Sequence, residues 1–336
     1  MDVLVELSLI FKLDFYPFLI FSESDIIYFI GNKIEAYREN KRLYSYKLKS
    51  NFVNACKTSN YVFLLLENEI LKFDYQNNKV VNSISGNFSN ISCGKEHIIV
   101  WKDTSFYIFD LNLNKVNQIS GKYNVINSFL VLSDTISKRV PLLSINNFDT
   151  LHIRNFEGFL PYFAKSDSVY DLIAGSSKKN FYIYLFENKN LRWYNRISLK
   201  IVISDILFNY KDRTIIIFGS SQRSFYLNLK DIMGDDIWIY NPKVLGIYYL
   251  DEAFRGILIR DNKIIAYGYS VREGEKRGVI KVFDYHSGEE ILEHFDNQLE
   301  DILKIVEVNN KLFLVGITKK FIGFYRLDFD KRAKSN

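Results

Sequence analysis

The chain has 336 residues, of which 48% are apolar, 16% aromatic and 25% charged, and its formal net charge is +5. This length suffices for one large domain or two ordinary ones, and the aromatic content with only four prolines excludes a disordered chain. No segment reaches the roughly 20 apolar residues that a membrane-spanning helix needs. The mildly basic balance permits an acidic partner but does not require one.

The first residues are acidic and do not form the basic start of a secretory signal. Only two cysteines are present, Cys56 and Cys93, which is too few for a disulfide framework. We therefore expect two buried, reduced structural cysteines in a soluble, cytoplasmic protein.

Short apolar segments rich in β-branched and aromatic residues recur along the whole chain, and no window has a sustained helical period. Clear examples are residues 26–30, 61–66, 214–218, 263–267 and 311–315. Asn, Asp, Gly, Ser or Lys residues bound most of them, as is typical of strands joined by turns. The sequence predicts an all-β fold.

A longer repeat is superimposed on the strands. The segment from Phe73 to Val80, FDYQNNKV, returns 36 residues later as FDLNLNKV, from Phe109 to Val116. More distant copies begin at Phe283 and at Tyr37. The pattern predicts a strand, a tight turn and a returning strand, with the aspartate accepting hydrogen bonds from backbone amides of the turn.

The repeat resembles the third strand, turn and fourth strand of WD40-like and quinoprotein-like propeller blades. The resemblance covers nearly the whole chain as a pattern, but its motif is specific in only three blades. No blade has a clean Gly-His opening, a Trp-Asp ending or the tryptophan signature of the pyrroloquinoline-quinone type. The resemblance implies a single β-propeller of four-stranded blades over residues 1–330, followed by a short basic tail, 331–336.

Counting blades by their expected third-strand residues favours eight, with seven as the alternative. The expected anchors are Tyr37, Phe73, Phe109, Ile153, Trp193, Tyr240, Phe283 and Tyr325. The segment 225–236 is interpreted as an extra hairpin or a loop insertion. We expect an N-terminal strand containing Leu7, Leu9 and Phe11 to complete the last blade beside residues 321–329, which removes exposed sheet edges.

No catalytic, metal-binding or cofactor-binding residue is assigned, and no cofactor is predicted. The four histidines are scattered, and no Gly-x-Ser-x-Gly nucleophile elbow is present. The glycine-serine segments that begin at Gly175 and Gly219 lack phosphate-loop spacing and are interpreted as hairpin turns.

Two basic segments are candidates for an interaction surface. One interleaves arginine with aromatic residues, and the other is a long charged loop between two predicted strands. Their candidate residues are Arg192, Trp193, Arg196, Arg272, Lys276 and Arg277.

The favoured hypothesis is a non-enzymatic protein–protein interaction scaffold, a subunit of an intracellular complex without membrane contact. The first alternative is an RNA-associated subunit that assists an RNA-modifying or processing enzyme, and it gains support if the basic residues converge on one rim. The second alternative is a propeller enzyme with an active site at the mouth of the channel, marked by convergent carboxylates or histidines with perturbed pKa values.

Overall fold

The computed structural model is all-β. It describes the following residues: 3–94, 96–121, 123–126, 129–132, 139–144, 150–154, 160–166, 169–177, 180–198, 201–209, 211–221, 224–242, 251–272 and 274–331. Within these ranges no helix is long and apolar enough to cross a membrane.

The described strands form eight antiparallel sheets of four strands each, numbered in chain order. The N-terminal strand, β1 (Val3–Leu13), belongs to the last of them, sheet 8. Sheets 1 to 3 contain the strands β2 (Leu19–Glu23), β3 (Ile26–Ile30), β4 (Lys33–Arg38) and β5 (Lys41–Lys47); β6 (Phe52–Lys57), β7 (Val62–Leu66), β8 (Glu69–Asp74) and β9 (Lys79–Ser85); and β10 (Asn90–Cys93), β11 (His97–Lys102), β12 (Ser105–Asp110) and β13 (Lys115–Ser120).

Sheets 4 to 6 continue in the same order. They contain β14 (Tyr123–Ile126), β15 (Phe129–Leu132), β16 (Arg139–Ser144) and β17 (Thr150–Arg154); β18 (Leu160–Ser166), β19 (Tyr170–Ser177), β20 (Asn180–Glu187) and β21 (Asn190–Ser198); and β22 (Ile201–Asn209), β23 (Thr214–Ser221), β24 (Ser224–Asp231) and β25 (Asp236–Tyr240).

The last two sheets differ in how they are assembled. Sheet 7 contains β26 (Asp251–Arg260), β27 (Lys263–Arg272), β28 (Glu275–Asp284) and β29 (Glu290–Asp296). Sheet 8 contains β30 (Asp301–Val308), β31 (Lys311–Ile317) and β32 (Ile322–Lys331), and its fourth strand is β1. The residues after Lys331, which include most of the expected basic tail, lie outside the described ranges.

The first strands of neighbouring sheets contact one another, as β18 contacts β22, β22 contacts β26, β26 contacts β30 and β30 contacts β2. The first strands therefore surround a common axis, and each sheet extends outward from it. Apolar side chains fill the space between neighbouring sheets, for example between sheets 1 and 2, sheets 5 and 6, and sheets 7 and 8. The molecule is a single propeller with four-stranded blades.

The pairing of β1 with β32 is antiparallel, with Leu7 opposite Leu327 and Leu9 opposite Tyr325. The register shifts between Leu9 and Phe11, so that Phe11 pairs with Phe324. The ring of Phe11 also stacks on Tyr37 of sheet 1. The N-terminal strand thus takes part both in sheet 8 and in its packing against sheet 1.

The anchor assignments are right for five sheets and wrong for three. Tyr37, Phe73, Phe109, Phe283 and Tyr325 lie on third strands, whereas Ile153, Trp193 and Tyr240 lie on fourth strands. The interpretation of segment 225–236 as an insertion is also wrong, because β24 within it is a regular third strand. Two of these fourth strands carry large aromatic residues, Trp193 and Tyr240, and the spacing alone does not separate such strands from third strands.

The predicted role of the repeated aspartate is confirmed. Asp110 accepts hydrogen bonds from the backbone amides of Asn112 and Asn114, both at 2.8 Å. Asp74 and Asp284 accept equivalent bonds in their turns. A fourth copy, Asp231, accepts from the amides of Met233 and Asp235. These aspartates fix the turn between the third and fourth strands.

A second repeated feature, a β-bulge, lies near the axis. The first strands of sheets 5 to 8 each skip one residue in their pairing, and the residue before the skip faces a glycine on the second strand. These glycines are Gly175, Gly219, Gly268 and Gly316. The segments that begin at Gly175 and Gly219 do lead into hairpins, from β19 to β20 and from β23 to β24. The two glycines themselves lie within strands, where the bulged neighbour approaches closely.

We predict that Gly268→Ala lowers the free energy of unfolding by about 2–4 kcal/mol, since overpacking against backbone cannot relax. A Cβ there would lie 2.1 Å from the carbonyl oxygen of Ala253. Gly316→Ala is the matched control, because its Cβ would meet only leucine side chains at 2.9 and 3.1 Å. Urea unfolding followed by tryptophan fluorescence measures both variants. Equal losses would contradict the backbone explanation.

A second prediction concerns acid stability. The backbone amide and hydroxyl of Ser287 hold the pKa of Asp284 below its ordinary value of 3.8. The folded state therefore binds this proton more weakly than the unfolded state, and the stabilisation is present above that ordinary value and is lost as pH falls through the lowered pKa.

Asp284→Asn is expected to reduce the loss of stability between about pH 5 and pH 2, measured by urea unfolding. Asp103→Asn, in an exposed turn, is the control and should lose stability on acidification as the unaltered protein does. An Asp284→Asn acid profile that matches the unaltered protein would contradict the assignment.

Candidate interaction site

Neighbouring strands are antiparallel, so the second–third turns of all sheets open on one face of the ring and the third–fourth turns on the other. We call these the upper and the lower face. The hairpin that joins β27 and β28 is a second–third turn of sheet 7, and it carries Arg272, Lys276 and Arg277 on the upper face. Gly274 in this turn has φ +82°, a conformation that favours glycine.

Arg272 caps a buried carboxylate. Its guanidinium lies 2.8 Å from Glu252, whose side chain is only 2% exposed, and it also stacks over the ring of Phe295. Ser270 donates a further hydrogen bond to Glu252 at 2.7 Å. A buried charge needs such partners, so these contacts assign Arg272 a structural role in sheet 7.

Lys276 takes part in a second buried carboxylate cluster. Its ammonium and the guanidinium of Arg255 both lie 3.1 Å from Asp301, which is 2% exposed. The two cations also lie over the ring of Tyr269, at 4.6 and 4.8 Å from its centroid. Two cations thus share one carboxylate, and this leaves an excess of positive charge where sheets 7 and 8 meet.

The next upper-face turn brings more positive charge to the same place. Thr318 stabilises this β31–β32 turn. Its hydroxyl accepts hydrogen bonds from the backbone amides of Lys320 and Phe321 at 3.1 and 3.0 Å. Between this turn and the β27–β28 hairpin lies an open cleft of about 950 Å³. We call it the basic cleft; its charged and aromatic lining residues are Lys276, Arg277, Lys319, Lys320, Phe321, Tyr325, Glu275 and Glu300.

The cations of the basic cleft suit it to the binding of acidic groups. Lys319 and Lys320 are exposed, and within the described chain neither forms an ion pair. Lys12 lies 4.3 Å from the ring centroid of Phe321, which adds a further cation at the edge. Arg277 pairs with Glu275. The sequence identified Lys276 and Arg277 as candidates but missed Lys319, Lys320 and Phe321.

The structure does not bring the other basic segment to this cleft. Arg192, Trp193 and Arg196 lie on β21, in sheet 5, and the whole of sheet 6 separates them from sheet 7. Arg192 lies beside the third–fourth turn, at the lower face, where it pairs with Glu187. The basic candidates therefore do not share one rim. A role of β21 in partner binding stays a prediction.

Trp193 joins two sheets. Its indole N–H donates to the carbonyl of Ile232 at 2.6 Å, and its ring packs against Gly234 in the turn of sheet 6. Trp238 repeats this contact with Tyr285 O, at 2.9 Å, and with Gly288 of sheet 7. Tryptophans on two fourth strands therefore dock on the turn of the next sheet. The sequence pattern that could have indicated such a contact is a turn glycine, Gly234, followed four residues later by Trp238.

The expectation of two reduced cysteines is wrong. Cys56 on β6 and Cys93 on β10 form a disulfide, with their Cα atoms 5.5 Å apart. They occupy matching places on the first strands of sheets 2 and 3, and the ring brings these strands into contact. Disulfides of this kind persist in oxidising compartments, which argues against the expected reducing one.

Comparison with known proteins yields structural likeness only. No protein-family model matches the chain, and no curated protein matches it. Among solved structures, the computationally designed protein Ika8 superposes with a TM-score of 0.64 and 10% identity, over 95% of this chain and 99% of that one. BamB from Moraxella catarrhalis gives 0.61 and 12%, over 96% and 100% of the two chains.

Hsv2p from Kluyveromyces lactis gives a TM-score of 0.51 with 14% identity, over 83% of this chain and 97% of that one. At these identities the likeness shows the fold alone. The resemblance to WD40-like and quinoprotein-like propellers is thus confirmed as an architecture.

We predict that reducing the Cys56–Cys93 disulfide lowers the free energy of unfolding by about 4 kcal/mol, because it closes a long loop in the unfolded chain. The two cysteines are 37 residues apart. Urea unfolding with and without dithiothreitol measures the effect. The double variant Cys56→Ala, Cys93→Ala should be insensitive to the reductant. Identical curves for the unaltered protein under both conditions would contradict the prediction.

Proposed function

We propose that this protein is a non-enzymatic interaction scaffold that binds an acidic segment of a partner protein in the basic cleft. The observation that carries the proposal is the concentration of cations at the junction of sheets 7 and 8. Charge complementarity of this kind selects partners and accelerates their encounter. A propeller presents such turns on a rigid frame, which suits a scaffold.

The charge count supports an acidic ligand. Four cations line the cleft, namely Lys276, Arg277, Lys319 and Lys320, and two carboxylates do, those of Glu275 and Glu300. The lining therefore has a net positive charge, and Phe321 adds an apolar contact at its edge.

The roles of individual residues follow from their pairing. Lys319 and Lys320 are proposed as the main contacts with the partner, because neither forms an ion pair with another described residue of the chain. Lys276 and Arg277 are proposed as secondary contacts, since each already faces a carboxylate. Arg272 is proposed to hold the hairpin rather than to contact the partner.

The finer architecture belongs to the same proposal. We propose that each of the eight sheets is one blade and that β1 closes the ring as the outer strand of the last blade. The antiparallel pairing of β1 with β32 supports this. A closed ring holds neighbouring turns at a fixed distance, and the cleft depends on two such turns.

The cellular location of the protein is part of the same proposal. A cytoplasmic location and membership of an intracellular complex remain predictions. The Cys56–Cys93 disulfide favours an oxidising compartment instead.

The proposal is tested with a fluorescein-labelled peptide of ten glutamates, measured by fluorescence anisotropy at low and at physiological salt. We expect binding that weakens as salt rises, because the attraction is electrostatic. The double variant Lys319→Glu, Lys320→Glu should weaken binding about tenfold or more. Unaltered binding by this variant would overturn the proposal.

Two controls sharpen the result. The variant Lys47→Glu, Lys79→Glu makes the same charge change at exposed positions on sheets 1 and 2, and it should bind the peptide like the unaltered protein. A labelled single-stranded RNA of ten uridines tests the alternative of an RNA-associated subunit. RNA binding that is tighter than peptide binding and is lost in the Lys319→Glu, Lys320→Glu variant would replace the protein partner by RNA.

A further inference from the structure

The junction between sheets 7 and 8 is built differently from other junctions of the ring. At four junctions of the described chain, a side chain on the fourth strand of one sheet donates a hydrogen bond to the third–fourth turn of the next sheet. Each donor directly follows the residue that its fourth strand skips in pairing, and the donors are Tyr44, Asn82, Trp193 and Trp238. The matching position on β29 is occupied by Leu292, which has no donor.

Sheet 8 also lacks the turn on which such a donor would dock. Its third strand is β32 and its fourth strand is β1, and these two strands are not consecutive in the chain, so no turn joins them. A cavity of about 330 Å³, lined in part by Leu292, lies at this junction. Sites for small molecules occupy roughly 300–1,000 Å³, so the cavity is large enough for a small ligand.

The inner wall of the cavity is apolar. It belongs to the cluster of apolar side chains between sheets 7 and 8, and it is formed by Ile265, Val282, Leu292, Leu312, Leu327 and Phe329. A hydrocarbon group that enters the cavity leaves water for an apolar surrounding, which is favourable. We call this space the junction cavity.

The mouth of the junction cavity is charged. It lies beside the first–second turns of sheets 7 and 8, which open on the lower face, opposite the basic cleft. Its charged lining residues are four cations and two carboxylates, namely Arg260, Lys263, Lys311, Arg326, Asp261 and Asp328.

Three of these cations are already paired with carboxylates. Arg260 pairs with Asp261 and Glu307, Lys311 with Glu39, and Arg326 with Asp328, at distances of 2.6 to 3.3 Å. The fourth cation, Lys263, is exposed and forms no ion pair with another described residue. The charge at the mouth that is left for a ligand is therefore positive.

A hydrogen bond between the two turns holds the mouth in shape. The guanidinium of Arg260, in the β26–β27 turn, donates to the carbonyl of Asn310, in the β30–β31 turn, at 3.0 Å. The turn that carries Lys263 is therefore fixed relative to sheet 8, and a ligand that binds there meets a preformed site.

We propose that the junction cavity binds a small amphipathic carboxylate of the fatty-acid type. Its hydrocarbon chain lies between sheets 7 and 8 against Leu292, and its carboxylate meets the ammonium of Lys263. Such a ligand matches both properties of the cavity, because its apolar part fills the space that no turn occupies and its charge complements the unpaired lysine.

The test is isothermal titration calorimetry with decanoate, below its micelle-forming concentration. We expect saturable binding of one molecule per chain. Octanoate should bind about tenfold more weakly, because it buries two methylene groups fewer. Decyltrimethylammonium, which has the same chain length and the opposite charge, should also bind more weakly than decanoate. No saturable heat with decanoate, or equal affinity for the decyl cation, overturns the proposal.

Three variants make the test specific. Leu292→Trp places at this position the residue type that Trp193 and Trp238 provide in sheets 5 and 6, so it should fill the cavity and abolish decanoate binding. Lys263→Met should weaken decanoate binding about five- to tenfold and should not weaken binding of the decyl cation. Lys211→Met, at an exposed position in the first–second turn of sheet 6, is the matched control and should bind decanoate like the unaltered protein.

Decanoate binding by Leu292→Trp that equals that of the unaltered protein overturns the proposal, provided that both unfold at the same temperature. If Leu292→Trp fails to fold, Lys263→Met decides the question, because this exposed substitution removes no core contact, and unchanged decanoate binding by it overturns the proposal. The double variant Lys319→Glu, Lys320→Glu should retain decanoate binding, which separates the junction cavity from the basic cleft.

Discussion

Outer strands dock on their neighbours through side-chain hydrogen-bond donors. Tyr44 donates to the carbonyl of Tyr75, Asn82 to that of Asn112, Trp193 to that of Ile232 and Trp238 to that of Tyr285. In every case a fourth-strand side chain bonds to the third–fourth turn of the next sheet. Sheets have no covalent link at their outer edges, so these donors set the angle between neighbours. The turn aspartates serve the same end, because they keep each accepting carbonyl in place.

The sequence predicted the architecture because one local rule is repeated. The pair Phe73-Asp74 returns 36 residues later as Phe109-Asp110. The turn that follows each pair needs a side chain that accepts hydrogen bonds from its backbone amides. Asp231 escaped notice because Lys230 precedes it instead of an aromatic residue. Trp193 and Tyr240 were misplaced since their outer strands carry large rings that dock on the next turn, and periodicity cannot show which strand of a hairpin a ring belongs to.

Less of the candidate site was predictable. The hairpin with Lys276 and Arg277 was visible as a charge run, but Lys319 and Lys320 join it only because sheets 7 and 8 are neighbours. The buried partner Asp301 has no sequence signature at all. The disulfide was missed for the same reason: 37 residues separate its cysteines along the chain, and only the contact between β6 and β10 brings them together.

The pairing of β1 with β32 also constrains how the chain folds. The first described strand pairs with the last, with Val3 opposite Lys331. Because β32 is synthesised after the strands of the seven other sheets, β1 keeps an unpaired edge until β32 is made. Contacts between the two ends of a chain are slow to form, because a large loop must close first. Sheet 8 is therefore completed late, and a nascent chain that stalls before β32 presents an open strand edge to other chains.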